Sequence, residues 1–406
     1  MRYILFTLFM LTAIAARSET SMPVDQQWSL DLAMANKTSS HSILFPPSST
    51  LSRQAKLEWG LQYSNWESQW VLFHEANTSG QDTSKSLLKE LFWQGERAGW
   101  DWMVGKRVLS FGVGYARRPL DIFQTNERNA VSLQVNEGIG LISASRFSGS
   151  GEFSIMWVDA GIGSLARKHP QSGIAMRWYQ LSDETEWQLL TYHDNKRGFT
   201  VGGSWVRTQG EHLEFHAEWR YQQHYQPWQH SPQKQTSQQM EPNAPINNWQ
   251  SPLEQVDQAK GWEALAGLTW ANSQGHNVIA EYWYDSRAWH NNQWTDLFEL
   301  AERQLHSGPP AAPLRYANGQ AFLVENQHRH NLLLHWHLDN TDWNPSADIV
   351  YTPEDKGVIF TAAVARELDQ HWTLGASLRY FGGSSQSVYA QLPSRRVFTL
   401  NMEFLF

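Results

Sequence analysis

The sequence contains no cysteine among its 406 residues. A disulfide framework and a thiolate metal site are therefore both excluded, and stability must come from packing and hydrogen bonds. Beyond residue 16 it also lacks any apolar run approaching the roughly 20 residues that a spanning helix requires. Basic excess is missing too: 32 Lys and Arg stand against 40 Asp and Glu, a net charge of −8 that disfavours nucleic acid as a partner. What is plentiful is aromatic. The chain holds 22 Trp, and 13 % of it is Phe, Trp or Tyr, although its mean hydropathy is only −0.53. A chain that is polar on average yet rich in rings is unusual for a soluble domain, and expected where strands alternate between lipid and water.

Alternation is visible at the end of the chain. Phe398, Leu400, Met402, Phe404 and Phe406 share a parity that carries no charge, while the other parity holds Asn401 and Glu403. Period-2 spacing puts the two sets on opposite faces of a strand. The same pattern fills residues 54–63, 212–221 and 371–380. Each run has about the 9–11 residues of a tilted spanning strand. A charge facing lipid at mid-depth would cost about 2–4 kcal/mol, and the charges avoid the apolar parity. Short and long polar connections also alternate. The pattern predicts an all-β, antiparallel up-and-down transmembrane barrel of about 18 strands, from 27–35 to 395–406, with a 16-strand count open at the first strand and at the one holding Pro345. Long external loops are expected near 112–137, 222–260 and 286–327, with both termini in the periplasm. Two soluble sandwiches would also alternate; outward rings in nearly every strand and the loop rhythm favour the barrel.

At the other end, Arg2 precedes an apolar run from Tyr3 to Ala16 with Ala13-Ile14-Ala15 as a small-x-small site. This reads as a secretory signal peptide over residues 1–16, followed by a single barrel domain over 17–406. With the aromatic terminal strand, the chain resembles the outer-membrane β-barrels of Gram-negative bacteria. In that class, positions equivalent to Phe398, Leu400, Met402, Phe404 and Phe406 form the signal read by the barrel-assembly machinery. The stretch DWMVGKRVLSFGVGYARRPLDIF, residues 101–123, is similar to porin-like families with a Gly-Lys/Arg strand, an aromatic-Gly stretch and a Pro-Leu-Asp loop. Where many such relatives carry Trp this chain has Phe111, so no subfamily is implied. The resemblance implies a transport pore in the cell outer membrane, in contact with lipid and lipopolysaccharide and either monomeric or a homo-trimer.

Residues 112–137 open with Gly112, Gly114 and Pro119, then carry Arg117, Arg118, Asp121 and Arg128. A long barrel loop can fold inward. Together with Lys106 and Arg107, of which only one can face inward, these residues are the candidate pore constriction; basic groups there would favour anions. Glu214, His216, Glu218 and Arg220 form a lumen stripe of mixed sign, most simply an internal ion-pair ladder. His328, His330, His335 and His337 invite a metal reading, but with no Cys and no evident carboxylate partner they are expected to be ordinary lumen or rim histidines. Neither a metal nor a cofactor is expected. Trp294, Leu297, Phe298, Ala301 and Leu305 recur at helical spacing, with Thr295 or Asp296 as cap and Pro309-Pro310 as stop. Such a helix would plug the mouth in part, or lie on the rim. No nucleophile elbow, zinc-protease motif or phosphate loop is present, and the pairs His74-Glu75 and His193-Asp194 are weak signals. The expected function is passive or selective passage of small hydrophilic solutes. The alternative is a plugged barrel acting as an enzyme or as part of an export or assembly complex.

Overall fold

A computed structural model of the chain describes residues 24–45, 49–80, 82–123, 133–163, 171–230, 253–256, 259–306, 319, 321–322, 325–339 and 342–406. The signal segment, Arg128 and Pro309-Pro310 lie outside these residues. The strands in chain order are β1 (Asp25–Ser39), β2 (Thr50–Tyr63), β3 (Trp66–Asn77), β4 (Thr83–Arg97), β5 (Trp100–Arg107), β6 (Ile139–Ser148), β7 (Gly151–Asp159), β8 (Ser172–Ser182), β9 (Thr185–Asp194), β10 (Gly198–Gln209), β11 (Leu213–Tyr225), β12 (Trp228–His230), β13 (Leu253–Gln255), β14 (Ala259–Ala271), β15 (His276–Asp285), β16 (His330–Leu338), β17 (Trp343–Thr352), β18 (Gly357–Glu367), β19 (Trp372–Gly382) and β20 (Ser394–Leu405). A helix, α1 (Asn291–His306), lies between β15 and β16. Eighteen of the strands form one antiparallel sheet; β12 and β13 make a separate ribbon. Because β1 pairs with β2 on one side and with β20 on the other, the sheet closes on itself. Closure removes every edge, so each strand of the wall finds its hydrogen bonds within the protein.

Strand parity sorts the side chains as the alternation predicts. Trp66, Trp70, Trp102, Trp178, Trp187, Trp219, Trp262, Trp270 and Trp343 stand on the outer face, each 40–51 % exposed. The opposite parity carries Asp31, Lys56 and Glu58, joined by ion pairs of 3.0 Å on the inner wall. At one end of the barrel the connections are tight. Ser64, Ala98, Gly99, Gly149 and Asp183 take left-handed backbone there, which matches the two-residue turns that a right-twisted hairpin favours. Both chain ends of the barrel, at β1 and β20, lie on this short-turn side. The wall has 18 strands rather than 16. Pro345 stands opposite Val364 of β18 but just beyond the β16–β17 ladder, which ends at His337 opposite Ser346, so on the β16 side its missing N–H breaks no bond.

At the long-loop end, α1 buries Trp294, Leu297, Phe298 and Ala301 against Leu44 before β2, Leu253 of β13, and Val388 before β20. It begins four residues earlier than Thr295, at Asn291, where Gln293 reaches back to accept from the backbone N–H of His290 at 3.0 Å. Thr295 bonds the carbonyl of Asn291 instead of capping. The helix therefore packs under neighbouring loops as part of a cap over the mouth.

Candidate constriction loop and its anchors

The connection from β5 to β6, residues 108–138, does not stand away from the barrel. Its described parts lie against the inner wall. The reason is chemical: the loop opens its backbone N–H groups toward wall carboxylates. Glu218 of β11 accepts from Val113 N at 2.8 Å, Gly114 N at 3.4 Å and Leu120 N. Glu281 of β15 accepts from Tyr115 N at 2.5 Å and Ala116 N at 2.8 Å, and contacts His216 Nε2 at 3.0 Å. Carboxylates that accept several backbone N–H groups make strong, charge-assisted bonds. The wall also holds the loop's carbonyls. Gln188 of β9 donates to Phe111 O at 2.8 Å, and Arg197 donates to Ile122 O at 2.8 Å.

Close approach is built in. A Cβ at Gly114 would lie 1.9 Å from Arg117 O, and one at Gly202 of β10 would lie 2.5 Å from a methyl of Leu120. Asp121 ties the loop to itself, accepting from Phe111 N at 2.7 Å and Gly112 N at 2.9 Å. Beyond it, Leu120, Ile122 and Phe123 pack on inward residues of four strands: Ile139 and Leu141 of β6, Met156 and Val158 of β7, Ala175 of β8, and Leu190 and Tyr192 of β9. The returning limb crosses to the other side, where Leu133 N donates to Gln54 Oε1 of β2 at 2.9 Å and Gly138 N to Lys89 O at 2.9 Å.

Arg117 enters a charge network. It pairs with Glu263 of β14 and with Glu325 in the β15–β16 connection. Arg220 reaches Glu263 at 2.8 Å, and Arg287 reaches Glu263 at 2.9 Å, Asp285 at 2.8 Å and Glu325 at 2.9 Å. The three carboxylates lie within 4.8 Å of one another, a spacing that repulsion alone would forbid. Three guanidiniums fill the space between them, so the set is neutral as built. Burial works against the charge of Arg117 and Arg287. The carboxylates more than offset it, and both are held charged above the ordinary arginine value.

The other constriction candidates take separate positions. Arg107 faces inward over the ring of Phe92 at 4.7 Å. Lys106, of the opposite parity, pairs with the buried Glu137. Arg118 donates to Gly114 O and Ser110 Oγ, each at 3.0 Å, and keeps 23 % of its side chain exposed. The stripe on β11 is brought together on one face: Glu214 lies 3.8 Å from His216, which meets Glu281, followed by Glu218 under the loop and Arg220 in the network. The pairs His74-Glu75 and His193-Asp194 fall on β3 and β9, well apart on the wall; Asp194 closes its own turn by accepting from Lys196 N and Arg197 N. Sequence reading did not single out Glu263, Glu281, Asp285, Arg287 or Glu325. Apart from Asp285 and Arg287, which pair with each other two residues apart, each is a single charge of inner parity or of a loop whose partners lie far off in the chain.

A second junction sits beneath α1. His328, fully buried, contacts Glu354 at 3.1 Å through Nδ1 and Asp355 at 2.7 Å through Nε2. Asp355 also accepts from Val388 N at 2.7 Å, so three loops meet there. Burial disfavours the imidazolium, but the two carboxylates raise the pKa of His328 above its ordinary value, and the carboxyls are held below theirs.

No family model matches the sequence, and no curated relative matches it either. Solved structures do resemble it. OccK5 (OpdH) of Pseudomonas aeruginosa superposes with a TM-score of 0.54 at 8 % identity, covering 94 % of this chain and 98 % of that one. OccAB1 of Acinetobacter baumannii gives 0.53 at 7 % identity, covering 94 % and 96 %. The outer membrane protein OpdK of Pseudomonas aeruginosa gives 0.53 at 6 % identity, covering 94 % and 98 %. At these identities the likeness is one of architecture: the chain has the closed porin-type barrel of these proteins over nearly its whole length.

Proposed function

We propose that the protein is an outer-membrane channel for small hydrophilic solutes, with the β5–β6 loop as its constriction. The observation that carries this reading is the loop's attachment: residues 113–120 lie inside the barrel, their backbone N–H groups held by Glu218 and Glu281. A loop that merely shielded the rim would not need carboxylates on the inner wall of two strands. The outward tryptophans fit hydrocarbon and the inward charges fit water. The short-turn end with both termini is then the periplasmic side, and the capped end faces out toward lipopolysaccharide. The terminal strand would be read by the assembly machinery; single barrels and homo-trimers both agree with the closed wall. Likeness to the outer membrane protein OpdK supports the same location. A catalytic role is not proposed.

Within the constriction the basic residues have different roles. Arg117 anchors the loop, while Arg107 and Arg118 supply positive charge toward the water, and so an anion preference. A second reading, a barrel closed at the mouth, is favoured by the cap itself, in which Trp289, Trp294 and Leu297 are 0–2 % exposed. Conductance of the purified mature chain in planar bilayers separates the two. Steady ohmic steps are expected for the channel, and a silent bilayer would overturn it in favour of the closed barrel.

A further inference from the structure

We propose that His335 and His337 form a site inside the barrel for a divalent transition-metal cation. They share the inner face of β16, two residues apart. Nε2 of His335 lies 3.1 Å from Nδ1 of His337. Two nitrogens bound to one ion at about 2.1 Å, with an angle of about 90–109°, stand about 3.0–3.4 Å apart. The pair is therefore already at ligand spacing.

Two further observations point the same way. On β17, directly across from His335, Asp348 bonds Nδ1 of that ring. A carboxylate on the far nitrogen fixes the tautomer and turns the lone pair of Nε2 toward His337, the arrangement in which a histidine ligates metal. This is the carboxylate partner that the sequence did not reveal, since Asp348 is 13 residues away in the chain. On the other neighbour, β15, Asn277 stands opposite His337. Its Oδ1 is shut off from solvent and accepts no hydrogen bond, so a donor of electron pairs is left unused beside the pair. Such a buried acceptor is costly without a partner. Imidazole nitrogen with amide oxygen and water suits Zn²⁺, Ni²⁺ or Cu²⁺ better than Ca²⁺ or Mg²⁺.

Proton balance is simple. Without the ion, His337 donates its Nδ1 proton to Nε2 of His335. On binding, that proton moves to Nε2 of His337 and both facing lone pairs go to the metal, with no net proton released. Tyr115 of the β5–β6 loop stacks on His335 with ring centroids 4.5 Å apart, which puts the site directly against the loop.

The test is calorimetric titration of the purified full chain in detergent with Zn²⁺. One site per chain is expected. His337→Ala is expected to weaken it by at least about tenfold, and Asp348→Asn by about 10–100-fold, the range seen for lost outer-shell carboxylates. His371→Ala, on the short-turn rim, should leave it unchanged. His337→Gln serves where the alanine variant does not assemble. Electron paramagnetic resonance with Cu²⁺ should show coupling to two nitrogens that falls to one or none in either His337 variant. Zn²⁺ affinity equal in the His337 variants and the unaltered chain, or no uptake by the unaltered chain, would overturn the proposal. Because the readout is binding, a silent bilayer would leave it standing.

Discussion

Two regions fill this barrel, and they are held by different balances of polar and apolar contact. The β5–β6 loop is fixed over residues 111–118 by polar bonds, carboxylates on backbone N–H groups and a guanidinium in a neutral cluster, with apolar packing confined to Leu120, Ile122 and Phe123 just beyond. The cap around α1 is fixed by apolar packing of Leu44, Trp289, Trp294, Leu297 and Phe298. Polar anchoring is directional, so it fixes a loop's path and leaves water beside it. Apolar packing is non-directional and excludes water. The two styles suit a constriction that must keep its shape while wet and a lid that must cover. They meet at Glu325, on the connection that carries α1, which pairs with Arg117 of the loop.

The largest effect is expected where the regions join. Glu263→Ala removes the carboxylate shared by Arg117, Arg220 and Arg287 and leaves buried guanidiniums facing one another. Breaking such a buried pair from one side costs about 3–5 kcal/mol. Heat-modifiable mobility in detergent should show unfolding at a clearly lower temperature, and protease should cut both the loop and the cap connection. Loss of only one of the two would mean that the regions are independent.

Next is the cap alone. Trp294→Ala removes a ring that packs at a tilt against Trp289 at 4.8 Å and Phe322 at 5.1 Å. Truncating a buried Trp costs about 3–5 kcal/mol, here charged to the cap and not to the wall. The midpoint of barrel unfolding should hardly move, while hydrogen exchange in residues 291–306 rises and single-channel current increases. An unchanged current would show that the cap does not restrict passage.

The wall was legible in the sequence because its rule is local. Phe398, Leu400 and Met402 face out whatever lies across from them, and lipid enforces the parity strand by strand. Even Pro345 was a local question, answered by its place beyond the end of the β16–β17 ladder. The loop's anchors were not legible, because Glu218 and Val113 are 105 residues apart and Arg117 and Glu325 208 apart. No periodicity marks which inner glutamate will meet a backbone N–H. The three facts that were readable, Gly112, Gly114 and Pro119, said only that the backbone there is unusual. For α1 the apolar face is as expected at Trp294, Leu297, Phe298 and Ala301, with the side chain of Leu305 outside the described residues, while the start was misplaced because Gln293 acts from inside the helix, where Thr295 or Asp296 was expected to cap.

Within the loop itself, Arg118→Gln and Arg117→Gln should separate charge from anchoring. The first removes a partly exposed cation whose nearest carboxylate, Asp121, stands 3.8 Å away, and should lower the anion-to-cation permeability ratio with the loop in place, read from reversal potentials in a salt gradient. The second removes a cation that is already neutralised by Glu263 and Glu325, so selectivity should change less while current noise and protease sensitivity rise. Equal shifts of selectivity in both would mean that the network does not screen Arg117.

The smallest effect concerns pH, and it acts on the cap but not on the loop. His328 has a raised pKa in the folded protein, so its contribution is fully present below the unfolded value of about 6.5 and is lost as pH rises through the folded value above it. Glu354 and Asp355 are lowered, so theirs is present above the unfolded carboxyl values near 4 and is lost as pH falls through the folded ones. The clasp is therefore tightest between about pH 4 and 6.5 and loosens on the alkaline side as His328, the cation that meets both carboxylates, loses its charge. The β5–β6 loop provides the internal control, since Arg117 stays charged throughout. Hydrogen exchange, corrected for the intrinsic pH dependence of amide exchange, should show residues 291–306 opening more at pH 9 than at pH 6 while residues 111–123 do not. His328→Gln should abolish that difference, because a neutral amide can bridge the same two carboxylates only weakly and at any pH. A cap that opens equally in both proteins, or a loop that opens with it, would place the alkaline sensitivity elsewhere than at His328.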